Sequence, residues 1–188
     1  AVPILETRRL RLDELALDDA EFILGLLNEE PFVRYIGDKG VRTPADARRY
    51  ITTGPVASYG RFGFGLYRVA LAADGRPMGI CGLLKRDVLE DPDLGFAFLQ
   101  QYWSKGYAFE SASAVLAHAR GTLGLARILA ITSPDNEPSI GLLGKLGFTF
   151  ERMARLTEGE PDVKVFASEV PYPPRRGAAP SPRRRARG

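Results

Sequence analysis

The sequence predicts an α/β protein: a central mixed β-sheet with helices on both faces, in the chain order βααβββαβαββ. Three features predict it. Apolar residues recur with period two in some segments and with helical period in others. A strand, a helix and a strand follow one another over 94–132, and such a unit makes its two strands parallel. The remaining strands follow one another mostly across short turns, which join antiparallel neighbours.

Arg9-Leu10-Arg11-Leu12 alternates and reads as the first strand. Asp18, with Glu21 three residues on, has the spacing of a capping box. Phe22, Ile23, Leu26 and Leu27 would line one face of the helix it starts. Thr43 before Pro44 marks a second helix start, because proline's missing N–H costs nothing in the first turn. Ala47, Tyr50 and Ile51 face inward from it. Strands over 64–71 and 78–85 flank the turn residues Asp74-Gly75. A third strand covers 94–99, after an acidic stretch over 87–93. Residues 107–120 form a helix with Ala108, Ala112, Val115, Leu116 and Ala119 in period, stopped by Gly121 and Gly124. A short apolar strand over 127–132 leads to a helix over 138–146 that Gly147 ends. Strands over 148–152 and 163–168 close the domain.

The chain has 188 residues, 45% of them hydrophobic, enough for one domain. That domain is assigned to 1–170, with a basic Pro/Arg-rich tail over 171–188. The formal charge of +3 misdescribes the domain. Six of the 26 basic residues are Arg175, Arg176, Arg183, Arg184, Arg185 and Arg187, so the rest holds 20 against 23 acids. The body is mildly acidic and lacks a basic helix or aromatic platform for nucleic acid, so such a contact is expected only through the tail. The tail has no apolar period with which to offset its ordering entropy. It is expected to be disordered and dispensable for catalysis. No apolar run reaches the length of a membrane span, and the first residues lack the pattern of a secretory signal. With Cys81 and His118 each alone in kind, neither a disulfide nor a metal site is expected. These features fit a reducing cytoplasm.

The turn Trp103-Ser104-Lys105-Gly106-Tyr107-Ala108 joins the third strand of that group to a helix. The first N–H groups of a helix have no internal partner and carry partial positive charge. Aimed outward together they suit a diphosphate. Gly106 lets the backbone approach closely, Ala108 keeps the next turn thin, and Lys105 adds a charge. Asn136 and Ser139 follow the next strand and open the next helix. Taken singly, Asn136 is a helix cap and Ser139 a polar first-turn residue; together with the upstream turn they form a constellation.

In this constellation the sequence resembles the GNAT superfamily of N-acetyltransferases, and within it the subgroup that includes the ribosomal-protein N-terminal acetyltransferases. The marks are Leu5-Glu6-Thr7-Arg8-Arg9-Leu10-Arg11-Leu12, then Tyr102 through Ala108, then Asn136-Glu137-Pro138-Ser139-Ile140 through Lys145-Leu146-Gly147-Phe148. The resemblance spans about 5–169. The family's cofactor turn is Gln/Arg-x-x-Gly-x-Gly/Ala; Gly106 and Ala108 match it, and Trp103 stands at its first position. The resemblance implies acetyl-CoA as cosubstrate, no metal, and a primary amine as acceptor. It implies that the backbone of Phe98 and Leu99 pairs with pantetheine like an added strand, between strands 94–99 and 127–132 that splay apart. Asn136 would contact the pantetheine arm and Ser139 would sit near the thioester sulfur. Asp93 stands where this subgroup often carries an acid, and is the candidate proton acceptor.

His118 reads as a structural residue within a helix, and Cys81, in an apolar strand, has no base to activate it. Asp87, Glu90, Asp91 and Asp93 read as a solvated loop that could also attract a cationic amine. A non-catalytic acyl-CoA sensor would keep the same cradle, and the sequence does not separate it from an enzyme. Nor does it decide between monomer and homodimer.

Overall fold

Eight strands and six α-helices, with three short helical turns, build the computed structural model, which describes residues 3–169. The strands are β1 (Leu5–Glu6), β2 (Leu10–Glu14), β3 (Leu66–Leu71), β4 (Pro77–Leu84), β5 (Asp93–Phe98), β6 (Arg127–Thr132), β7 (Thr149–Ala154) and β8 (Val163–Glu169). The α-helices are α1 (Ala20–Leu27), α2 (Glu30–Tyr35), α3 (Pro44–Ile51), α4 (Ala57–Phe62), α5 (Tyr107–Gly121) and α6 (Glu137–Lys145). The strands form one sheet in the order β1-β2-β3-β4-β5-β6-β8-β7. Every neighbouring pair is antiparallel except β5 and β6, which run parallel across α5. The expected mixed sheet is therefore present. The tail over 171–188 lies outside the described residues.

Alternation along the strands feeds two cores. On one face Leu10, Leu12, Val69, Cys81 and Phe98 pack with Ala112, Val115, Leu116 and Ala119 of α5 and Leu143 of α6. On the other, Leu66 and Ile80 pack with Ile23, Leu26 and Leu27 of α1 and Ala47 and Ile51 of α3. Side chains buried this fully contribute about 1.5–3 kcal/mol each.

Several local expectations change. Asp18 does not cap α1. A short 3₁₀ turn, Leu17–Asp19, precedes the helix, and Asp19 accepts from the Ala16 N–H at 2.9 Å while pairing with Arg68 at 3.1 Å. Thr43 does cap α3, accepting from the Asp46 N–H at 3.1 Å. Two helices were not read from the sequence. α2 has only six residues, too few to show a period. α4 follows Gly54-Pro55, a pair that reads as a break; instead a π-type turn, Thr52–Val56, absorbs Pro55, whose missing N–H a widened turn tolerates. The acidic stretch is not simply solvated. Leu89 is buried against Leu129, Val165 and Ala167, Asp91 pairs with Arg127 at 3.1 Å, and Asp93 is fully buried. Among the described residues, no helix is long and apolar enough to cross a membrane.

Candidate active site

Strand β5 parts from β6 almost as soon as they meet. Their ladder holds only Asp93 opposite Leu129 and Leu94 opposite Ala130. Beyond Leu94 the direction of the β5 backbone follows from two bonds at its ends. Leu129 N–H donates to the Pro92 carbonyl, and Leu99 N–H donates to the Met78 carbonyl of β4, each at 2.9 Å. Successive residues of a strand face opposite ways. Phe96 and Phe98 therefore turn their backbone groups toward the gap between β5 and β6, and Leu99 turns away. The expected pairing of Leu99 with pantetheine is corrected on this ground: its N–H is already committed to β4. The Phe98 carbonyl is also engaged, accepting from the Trp103 indole N–H at 2.9 Å. Its N–H remains open to the gap. Trp103, in the first position of the turn, thus pins the exit of β5, with its ring 41% exposed on the cleft rim.

The gap opens into a cleft of about 720 Å³. Its walls include Phe96 and Phe98 of β5, the turn residues Trp103, Ser104, Gly106, Tyr107 and Ala108, and Asn136 and Ser139 of the α6 start. Helix α2 supplies Phe32 and Tyr35, and the residue before it, Glu29, joins them. This helix straps the gap. Glu29 accepts from the Gln100 N–H after β5 at 2.9 Å, and the Tyr35 carbonyl accepts from the Ser133 hydroxyl after β6 at 2.7 Å. Neither contact had a signal in the sequence.

The turn has the backbone of an anion cradle. Ser104 and Gly106 both lie in the left-handed region, at φ 61° and 82°. Among the described residues, none accepts from the backbone N–H of any residue from Ser104 to Phe109. The array fits a diphosphate on the strength of those open donors. Lys105 departs from expectation: it is absent from the cleft wall, and its carbonyl accepts from the Arg9 side chain at 3.0 Å.

Asn136 caps α6, its side-chain oxygen accepting from the Ser139 N–H at 3.3 Å. It also faces the cleft, so the two readings of this residue are compatible. The Ser139 hydroxyl has no partner among the described residues and is half-buried on the same wall. Asp93 is not brought to the cleft. It is fully buried where β5 still pairs with β6, and Arg86 binds it at 3.2 Å. Burial pushes its carboxyl above the ordinary value, against the pull of Arg86. A carboxylate sealed in an ion pair cannot collect a proton from the cleft, so Asp93 is corrected to a structural residue. Burial also pushes the Cys81 thiol up to about 12, although Ser111 hydrogen-bonds it. His118 lies in α5 outside the cleft wall.

A splayed parallel pair, with an open N–H array after one strand and a polar helix start after the other, is the arrangement expected of a site for an acyl-CoA. The comparisons narrow this class. The family model of the acetyltransferase (GNAT) domain matches residues 9–149. A Bacillus subtilis protein named as the uncharacterized N-acetyltransferase YoaA is 30% identical over 155 residues, covering 81% of this chain and 86% of the relative. The chain belongs to the GNAT family and is an acetyl-CoA-dependent acetyltransferase. Solved structures agree on the fold. An acetyltransferase from Agrobacterium tumefaciens superposes with a TM-score of 0.77 at 24% identity, covering 90% of this chain and 96% of that one. RimL, a ribosomal L7/L12 alpha-N-protein acetyltransferase solved in complex with coenzyme A, gives 0.76 at 15% identity, over 89% of this chain and 98% of that one.

Proposed function

We propose that the chain moves the acetyl group of acetyl-CoA to a primary α-amine by direct attack within a ternary complex. The observation that carries this reading is that a single cleft joins the open N–H array from Ser104 to Phe109, the free edge of β5 and the Ser139 hydroxyl. The array takes the diphosphate, the edge at Phe96 and Phe98 takes pantetheine, and Asn136 contacts the same arm. RimL, a protein of the same fold, was solved in complex with coenzyme A, which supports a coenzyme A site on this fold.

In the reaction the amine nitrogen bonds to the thioester carbon, and the carbon–sulfur bond then breaks. Negative charge develops on the carbonyl oxygen, where a backbone N–H of the β5 edge left free by pantetheine is the available donor. The departing sulfur takes a hydrogen bond from Ser139. The amine proton passes through water to the departing sulfur, which leaves as the free thiol. Cys81 supports direct attack, because a fully buried thiol with its ionisation pushed to about 12 holds no thiolate for an acyl-enzyme.

The acceptor class follows from protonation. An α-amine, with a pKa of about 7.7–8.0, is far more often neutral near pH 7 than a lysine at about 10.4. Glu29 places a carboxylate on the cleft wall to draw the incoming ammonium. A panel of peptides with free or blocked α-amines, assayed with acetyl-CoA for released thiol, tests this. Acetylation of α-amines over lysine side chains is expected. A preference for lysine contradicts the acceptor class, and coenzyme A binding without turnover of any amine would favour a sensor.

A further inference from the structure

We infer that Arg9 is a positioning residue for the diphosphate cradle, holding the peptide between Lys105 and Gly106 so that its N–H faces the cofactor. The inference rests on the acetyl-CoA reading and gives the Thr7-Arg8-Arg9-Leu10 segment a role. Arg9 Nη1 donates to the Lys105 carbonyl at 3.0 Å, and Nε donates to Glu110 at 2.7 Å. Its guanidinium lies 4.5 Å from the centre of the Tyr107 ring. The Lys105 carbonyl and the Gly106 N–H share one planar trans peptide and point in opposite directions. Anchoring the oxygen on Arg9 therefore turns the N–H away from Arg9. A flipped peptide would aim a carbonyl oxygen at the diphosphate, and the left-handed Gly106 makes such a flip sterically cheap.

Arg9 is itself fixed. Glu110 accepts from the Arg9 N–H at 3.1 Å and from the Thr7 hydroxyl, which in turn accepts from the Leu10 N–H at 3.1 Å. The turn between β1 and β2 is thereby locked to the first turn of α5. Arg9 also neutralises Glu110, a carboxylate one turn from the cradle that would otherwise repel an anion. An ammonium has no planar fork with which to serve Glu110 and the Lys105 carbonyl together.

The test compares Arg9→Ala and Arg9→Lys with the parent on acetyl-CoA and on S-acetylpantetheine, which lacks the diphosphate. For both variants KM for acetyl-CoA should rise about tenfold or more, as expected for lost charge-assisted hydrogen bonds. The loss should fall on KM rather than kcat, and KM for S-acetylpantetheine should not move. Should Arg9→Ala fail to fold, Glu110→Gln and Thr7→Val loosen the same brace and should show the same selective rise. An unchanged acetyl-CoA KM in Arg9→Ala overturns the inference, as does full rescue by Arg9→Lys, which would leave charge alone as the cause. A parent protein that binds no coenzyme A overturns the underlying reading instead.

Discussion

Ser139 and Asp93 were both legible as candidates, and their surroundings separate them. Ser139 lines the cleft and its hydroxyl has no partner among the described residues, whereas Asp93 is buried against Arg86. Sequence position gave each a place on the right strand or helix; it could not show that Arg86, seven residues before Asp93, folds back to claim the carboxylate. Leu99 fails for a similar reason. Its neighbour Phe98 faces the gap, and one step along a strand reverses the direction of every backbone group. If Ser139 donates to the departing sulfur, Ser139→Ala should lower kcat about ten- to a thousandfold, with any amine the parent turns over. Coenzyme A affinity should change little, since the diphosphate and pantetheine contacts remain. A parent-like kcat would remove Ser139 from the reaction.

At the scale of elements, the long periodic segments were readable and the short ones were not. α5 and β6 lie almost where the sequence puts them, because α5 carries a full apolar period up to a glycine stop and β6 an apolar run between Gly124 and Pro134. α2 and the π-type turn before α4 carry no such period, yet α2 straps the gap that holds the candidate site. The tight contact of β4 with the residue before β3 also escaped the sequence. A Cβ on Gly82 would lie 1.9 Å from the Gly65 carbonyl oxygen, against backbone that cannot yield as a side chain can. Gly82→Ala should therefore destabilise the fold by about 1–3 kcal/mol, the usual cost of overpacking, or more. Urea unfolding measures this as a lower midpoint. An unchanged midpoint would show that the two strands can separate without cost.

Across the whole molecule, the proposed binding and chemistry fall at the seam where, among the described residues, the sheet comes apart. Antiparallel neighbours pair along their length, but β5 and β6 are parallel, joined through α5, and bonded at two positions only. The helix that makes the crossover is also the helix whose N-terminus ends the gap, so fold and cradle come from one segment, 93–132. That is why much of the candidate site could be proposed from the sequence: most of its residues lie in two short runs at the ends of readable elements. Arg9 and Glu29 were not legible as parts of it, since they reach the site from other parts of the chain. The central claim is that this cleft binds acetyl-CoA through the backbone of the turn at Gly106. Calorimetric titration of acetyl-CoA into the parent and into Gly106→Val tests it most directly. A β-branched side chain at φ 82° is strained, and its Cβ would sit 3.3 Å from Arg9 Nη2. The account predicts one saturable site in the parent and a much weaker one in a folded Gly106→Val protein. Equal affinity in the two proteins would contradict it.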